Sequence, residues 1–420
     1  MHFLRVVGPA LASLFSITQA GVVTQLLDIT KVPQEQNAGS RQANAKVNTD
    51  HSINVADRYI ITFRPNANVP EHMNFVQSLH DKSPGAQATG GKAFEGVTQH
   101  YNLSDFHGYA GHFDQSTINK IKSHSDVART EADQKWSITS TFDQDDAPGY
   151  GLGLISHESG RNLHDYLYDQ SAGGGTYSYL LDSGINIEHH DLQGRAKLGY
   201  NALDPTATVW GDALGHGTHV AGIIGGRTYG VAKRTKLIAV KVVNQGDARL
   251  SQVLDGLHWA AAHISSRRRQ PNAVIHVSPS GPLSNTWEDA LNAASRMGIS
   301  VVVPAGDDDR DPGRRLRDHR DRGRFANWGP GVDLYAPGVR IQSTWRNDDT
   351  RSLSGTAQAA AFVSGLTSYF KGLTDLPDAR TTKRHLLRES LRDVVEDPDR
   401  ERDGAFAFNG ARKRDDDRWA

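Results

Sequence analysis

Four apolar runs separated by stretches of helical spacing set the architecture of this chain. The runs are TYSYLLDSG (176–184), KLIAVKVV (236–243), AVIHVS (273–278) and ISVVVPAG (299–306). None alternates strictly between apolar and polar residues, as a strand with one wet face would. Helical stretches at 217–225, 251–265 and 286–297 lie between them. Strands buried on both faces and joined by helices imply an α/β unit on a doubly wound, mainly parallel sheet. In such sheets function gathers at the carboxyl ends of the strands.

A smaller unit precedes this one. Tyr59, Ile61 and Phe63 alternate in RYIITFRP, and Met73, Val76 and Leu79 share one helical face. Two strand-like pieces meet at FHGYAGHF (106–113). A helix follows from Ser116 with Ile118 and Ile121 inward, and a last strand spans 127–138. The order βαββαβ predicts a small α+β domain over 57–139, ahead of a main domain over 140–420. A chain of 420 residues suffices for both cores.

Before them, residues 21–56 are polar without a sustained period and read as a flexible leader. Residues 1–20 carry Arg5, an apolar run from Val6 to Ile17 and small residues ending at Ala20. This is the pattern of a secretory signal peptide cut after Ala20, so the product is expected outside the cell. No later run is long enough for a membrane span.

A net charge of −1 offers no basic field for nucleic acid. The absence of cysteine rules out disulfides and thiolate chemistry. The charged run 307–324 reads as a solvated loop, and Asn102 opens the one glycosylation sequon. Near the C-terminus, Leu386, Leu387, Leu391 and Val394 predict a helix packed on the body.

The chemistry concentrates in three places. Asp182 ends an apolar run, with Gly184 allowing a tight turn. His216 opens GHGTHVAGIIGG, whose small residues let a helix pack closely. A carboxylate that orients an imidazole, which in turn deprotonates a hydroxyl, is the activating half of a serine hydrolase. The third place, SLSGTAQAAAFVSG (352–365), frames a helix start but presents Ala357. His216 and His219 with Asp182 lack the spacing of a zinc set, and His189-His190-Asp191 reads as a loop, so no metal or cofactor is expected.

Together, LLDSGINIEHHDLQGRA, GHGTHVAG, YGVAKRTKLIAVKVV, FANWGPGVDLYAPGVRIQSTW and LSGTAQAAAFVSG resemble the subtilisin-like serine proteases of the secreted, proteinase K-like fungal type. GYAGHFDQSTINKIKSH in the earlier unit is similar to that family's inhibitory I9-type propeptide. The resemblance implies that Asp182 is the orienting aspartate and His216 the general base. The nucleophile position falls on Ala357, followed by Gln358 where methionine is usual. The oxyanion-hole asparagine falls on Asp307, and His276 stands where an asparagine is usual. Substrate would lie between Gly246-Asp247-Ala248 and Ser278-Pro279-Ser280-Gly281, where Pro279 lacks an N–H.

The segment 307–325 is shorter than the family pattern, implying a missing strand and exposed neighbouring edges, and no calcium site is carried over. The expected product is thus a secreted endopeptidase homologue, catalytically inactive through Ala357. It would be a monomer that keeps its own propeptide in a cleft built for protein or peptide substrates. Two alternatives stand beside it: a peptide-binding decoy or inhibitor, and an active endopeptidase misrepresented by an error in the deduced sequence.

Overall fold

The structure is a computed structural model that describes residues 22–26, 54–83, 94–137, 141–142, 150–158, 163, 165–307, 331–392 and 404–411. After a leader strand β1 (Val22–Leu26), the small unit runs β2 (Asn54–Phe63), α1 (Val69–Asp81), β3 (Gly96–Leu103), β4 (Phe106–His112), α2 (Gln115–Lys122) and β5 (Val127–Ser137). This is the expected βαββαβ order, in an antiparallel arrangement β3-β4-β2-β5. Asp114 fixes the start of α2 by accepting from the N–H groups of Ser116 and Thr117 at 2.8 and 2.9 Å. Ile61, Val76, Tyr109, Phe113, Ile118 and Ile121 form the core between this sheet and its helices.

A two-residue strand β6 (Thr141–Phe142) leads to the main unit. Its elements are α3 (Tyr150–Leu154), β7 (Tyr177–Asp182), β8 (Ala196–Asn201), α4 (His216–Gly225), β9 (Lys236–Lys241), β10 (Asp247–Arg249), α5 (Leu250–Ser266), β11 (Ala273–Val277), α6 (Asn285–Arg296), β12 (Ser300–Pro304), β13 (Leu334–Tyr335), β14 (Ile341–Thr344), β15 (Thr350–Ser354), α7 (Thr356–Leu373) and α8 (Ala379–Glu389). The large sheet has the order β13-β1-β12-β11-β7-β9-β8, in which β12 through β8 are parallel. On β7, Leu180 joins the core beneath α4 and α7, while Tyr179 and Leu181 join the core beneath α5 and α6. Burial of both faces is why the four runs lack alternation.

Two readings need correction. The strand β8, AKLGYN, is absent from the four apolar runs because its middle residues are only partly buried. The final helix stops at Glu389, since Ser390 turns to an extended φ/ψ of −61° and 147°. Leu391 instead bridges Phe406, and Val394 lies outside the described residues.

The leader also departs from its expected flexibility at both described ends. Asn54 to Ala56 belong to β2, and Val22–Leu26 runs antiparallel between β12 and β13. Thr24 stands opposite Pro304 on one side and Leu334 on the other. There β1 covers backbone edges of β12 and β13 that a sheet cannot leave unpaired without cost. Residues 1–21, on which the signal-peptide reading falls, the remainder of the leader from 27 to 53 and the charged run from 308 to 324 lie outside the described residues.

Candidate active site

The carboxyl end of β7 delivers Asp182 into the interior, and Gly184 turns the chain away at φ 112°. The fully buried Asp182 carboxylate accepts from the Ser183 N–H at 2.6 Å and from the Ser278 hydroxyl. His216 begins α4, whose N-cap Gly215 sits at φ 94° against Trp345. Its Nδ1 lies 3.0 and 2.9 Å from the two Asp182 oxygens. A carboxylate only accepts, so Nδ1 carries the proton.

Burial pushes the Asp182 carboxyl up, but His216 and the hydrogen bonds from Ser278 and Ser183 outweigh it and hold the group below its ordinary value. For His216, burial favours the neutral ring, yet Asp182, with Asp212 and Asp307 behind it, leaves the imidazole above its ordinary value. Asp212 escaped the sequence reading. It accepts from Gly215 N and Thr218 N, each at 2.7 Å, and from the Ser183 hydroxyl at 2.7 Å, which fixes the first turn of α4. Its signal was a carboxylate shortly before a helix start, but the six-residue gap to Thr218 hid it.

The opposite wall is α7. Ala357 lies in its first turn and is 3 % exposed. The next side chain, Gln358, is fully buried with Nε2 3.2 Å from His216 Nε2. Asp307, after β12, accepts from the Thr356 N–H at 3.0 Å. Its carboxylate is therefore aimed at the start of α7, where an oxyanion donor was expected. His276 bridges Ser364 and Ser278 at 2.9 and 3.0 Å, and burial lowers its pKa to about 4.

The predicted substrate edges both meet the small unit. Asp247 and Ala248 of β10 pair antiparallel with Ser137 and Trp136 of β5. Gly246, at φ 96°, makes the turn into β10. Across the cleft the Trp136 indole lies on Gly281, where a Cβ would collide with it, and packs edge-on against Trp287 with centroids 5.1 Å apart. Ser278 turns its side chain to Asp182, Pro279 is buried and Ser280 is half-buried. Beyond residues 138–140, Thr141 pairs with Ser354 and Phe142 with Leu353. The chain thus lies antiparallel to β10 before residues 138–140 and pairs with β15, the strand that feeds α7, after them.

Carboxylates of the small unit also anchor the helices beneath. Asp133 accepts from Ser251 N at 3.0 Å at the start of α5, and Glu131 accepts from the Ser284 hydroxyl at 2.7 Å at the start of α6.

Residues 175–320 match the model of the subtilase family, and residues 58–139 match that of peptidase inhibitor I9. Alkaline protease 1 of Aspergillus oryzae is 37 % identical over 359 residues, covering 81 % of this chain and 88 % of that protein. The chain belongs to the subtilase family. The alkaline proteinase of Hapsidospora chrysogena is 36 % identical over 358 residues, covering 79 % and 86 % of the two chains. A cold-adapted subtilisin-like serine proteinase of solved structure aligns at 30 % identity and a TM-score of 0.55, over 62 % of this chain and 98 % of that one. Fervidolysin from Fervidobacterium pennivorans, at 18 % identity and a TM-score of 0.62 over 86 % and 61 %, agrees in fold.

In this subtilase several further histidines are held by structural hydrogen bonds. Carbonyl oxygens of Ile341 and Arg351 lie 2.9 Å from His219 Nε2, so that nitrogen is a donor. His189 Nε2 faces Asp349 O at 3.0 Å while its Nδ1 accepts from Asp191 N at 3.2 Å, which leaves no lone pair for the cluster His189, His190 and Asp348. In the propeptide, His72 and His124 bring their Nδ1 atoms within 3.1 Å beside Asp126. There the His124 lone pair already accepts from Asp126 N at 3.3 Å. Among the described residues no helix is long and apolar enough to cross a membrane.

Proposed function

We propose that this subtilase is a secreted homologue of the serine endopeptidases that does not hydrolyse peptide bonds and keeps its propeptide in its own cleft. Asp182 and His216 hold the orienting and base positions, and Ala357 holds the nucleophile position. The observation that carries the reading is this alanine, one residue before the side chain that touches His216. A methyl group forms no acyl-enzyme, and loss of the nucleophile in a subtilisin lowers turnover about a millionfold. Asp307 adds a second deficit, because an ionised carboxylate opposes a developing oxyanion, an interaction worth about a hundred- to thousandfold.

Retention of the propeptide draws support from the pairing of β5 with β10 and of β6 with β15, which holds the chain on both sides of residues 138–140 against the subtilase domain. On this reading the domain limits are 1–20 as signal peptide, 21–56 as leader, 57–139 as propeptide and 140–420 as the subtilase domain. Export follows from residues 1–20, and a monomer from a cleft filled in cis. The purified protein should release no peptide from casein and take no label from a fluorophosphonate probe. Labelling that disappears with His216→Ala would sink the reading. The decoy alternative draws support from β10, which already holds an extended strand. Binding of a β5-derived peptide in trans, after an exogenous protease has removed the propeptide, would favour it.

A further inference from the structure

The nitrogen of His216 that faces the cleft already has a hydrogen-bond partner. Gln358 places Nε2 3.2 Å from His216 Nε2. An amide nitrogen only donates, so His216 Nε2 accepts and the ring's one proton stays on Nδ1, shared with Asp182. Both ring nitrogens are thereby engaged inside a buried network. The Gln358 carbonyl oxygen Oε1 is buried with no partner among the described residues. The side chain is thus oriented by its nitrogen end, at the cost of its oxygen end.

Resting on the silence assigned to Ala357, we propose that Gln358 is a positioning residue that takes the hydrogen-bonding place of the absent hydroxyl and fixes the neutral form of His216 as its Nδ1–H tautomer. The charged groups around the ring act in the opposite sense. Asp182 on β7, Asp212 before α4 and Asp307 after β12 draw a proton towards His216. His219 and His276 also face it, and burial keeps both neutral. A donor to the Nε2 lone pair favours the neutral ring against those carboxylates. It also occupies the acceptor that a serine at 357 would need. Restoring the hydroxyl is therefore insufficient, and the amide must be removed as well. Methionine is close to glutamine in length and makes no such bond.

The test uses the full chain in two measurements. In ¹⁵N spectra of the wild type, neutral His216 should carry its proton on Nδ1. Gln358→Met should raise its titration midpoint by on the order of one unit, because the donor to the neutral form is gone. A proton on Nε2 in the neutral wild-type ring would overturn the proposal. So would a midpoint that Gln358→Met leaves unchanged or lowers. In self-processing, Ala357→Ser with Gln358→Met should cut at least about tenfold faster than Ala357→Ser alone, out of the roughly 10²- to 10⁴-fold that a free base supplies. Equal rates would overturn the proposal. If neither revertant cuts, the titration decides by the same criteria. Self-cleavage of the wild type would overturn the reading of Ala357 without altering the titration result, so the two failures are separable.

Discussion

Two halves of one cleft differ in what holds them. On the β7–α4 side, Asp182 and His216 are bound to each other and to Ser183 and Ser278, all buried. On the α7 side, Ala357 presents a methyl group at the position proposed for the nucleophile, and its neighbours Gln358 and Asp307 point polar atoms towards His216 and the Thr356 N–H. A buried carboxylate and imidazole cannot be removed singly without stranding a polar group, which is costly. A hydroxyl at 357 reaches out for chemistry, and its loss strands nothing that Gln358 does not cover. The reactive half of the cleft is thus structurally dispensable, while the activating half is part of the core.

The largest effect that sharpens this contrast lies at Asp307. In a background of Ala357→Ser with Gln358→Met, Asp307→Asn should raise turnover about a hundred- to thousandfold. An asparagine keeps an acceptor for the Thr356 N–H while adding a donor. Peptide hydrolysis kinetics check this, and no gain would mean that position 307 does not face the oxyanion. Next in size, Asp182→Ala in the wild type should cost about 3 kcal/mol in urea unfolding, against less than about 1 kcal/mol for Gln358→Met. Equal costs would erase the distinction between the halves.

A smaller loss is expected at the leader strand. Thr24→Pro removes backbone pairing between β12 and β13, worth about 1–2 kcal/mol at roughly 1 kcal/mol per bond. Hydrogen exchange should then quicken at Val302 and Val303. Unchanged protection there would remove β1 from the sheet.

The smallest effect is a pH dependence. The His216 value is raised above its ordinary 6.5, so the stability it adds is full below that and fades as pH rises through the elevated value. The Asp182 value lies below its ordinary 3.8, so its contribution is present above that and is lost as pH falls through the depressed value. The penalty of Asp182→Ala should therefore peak between about pH 4 and 6.5. Melting temperatures across about pH 3–9 would show it, and a flat profile would contradict the buried ion pair.

How much of this was legible in the sequence depends on distance along the chain. The strands β7, β9, β11 and β12 follow from apolar runs, and the positions of Asp182, His216 and Ala357 from their motifs. The strand β8 was missed because partial burial left no pattern. VVTQL in β1 gave no local signal, because its partners lie nearly three hundred residues downstream and it pairs by backbone. Gln358 was visible as an unusual residue, but its contact with His216 joins two helices that only the fold brings together. Asp307 was visible as an unusual residue, while its bond to the Thr356 N–H depends on how the loop after β12 meets α7.

The most direct test is the intact mass of the purified wild-type protein. The account predicts one uncut chain, lacking only the signal segment, with propeptide and subtilase domain still joined. A cut between Ser137 and Thr141 that vanishes with His216→Ala would contradict it.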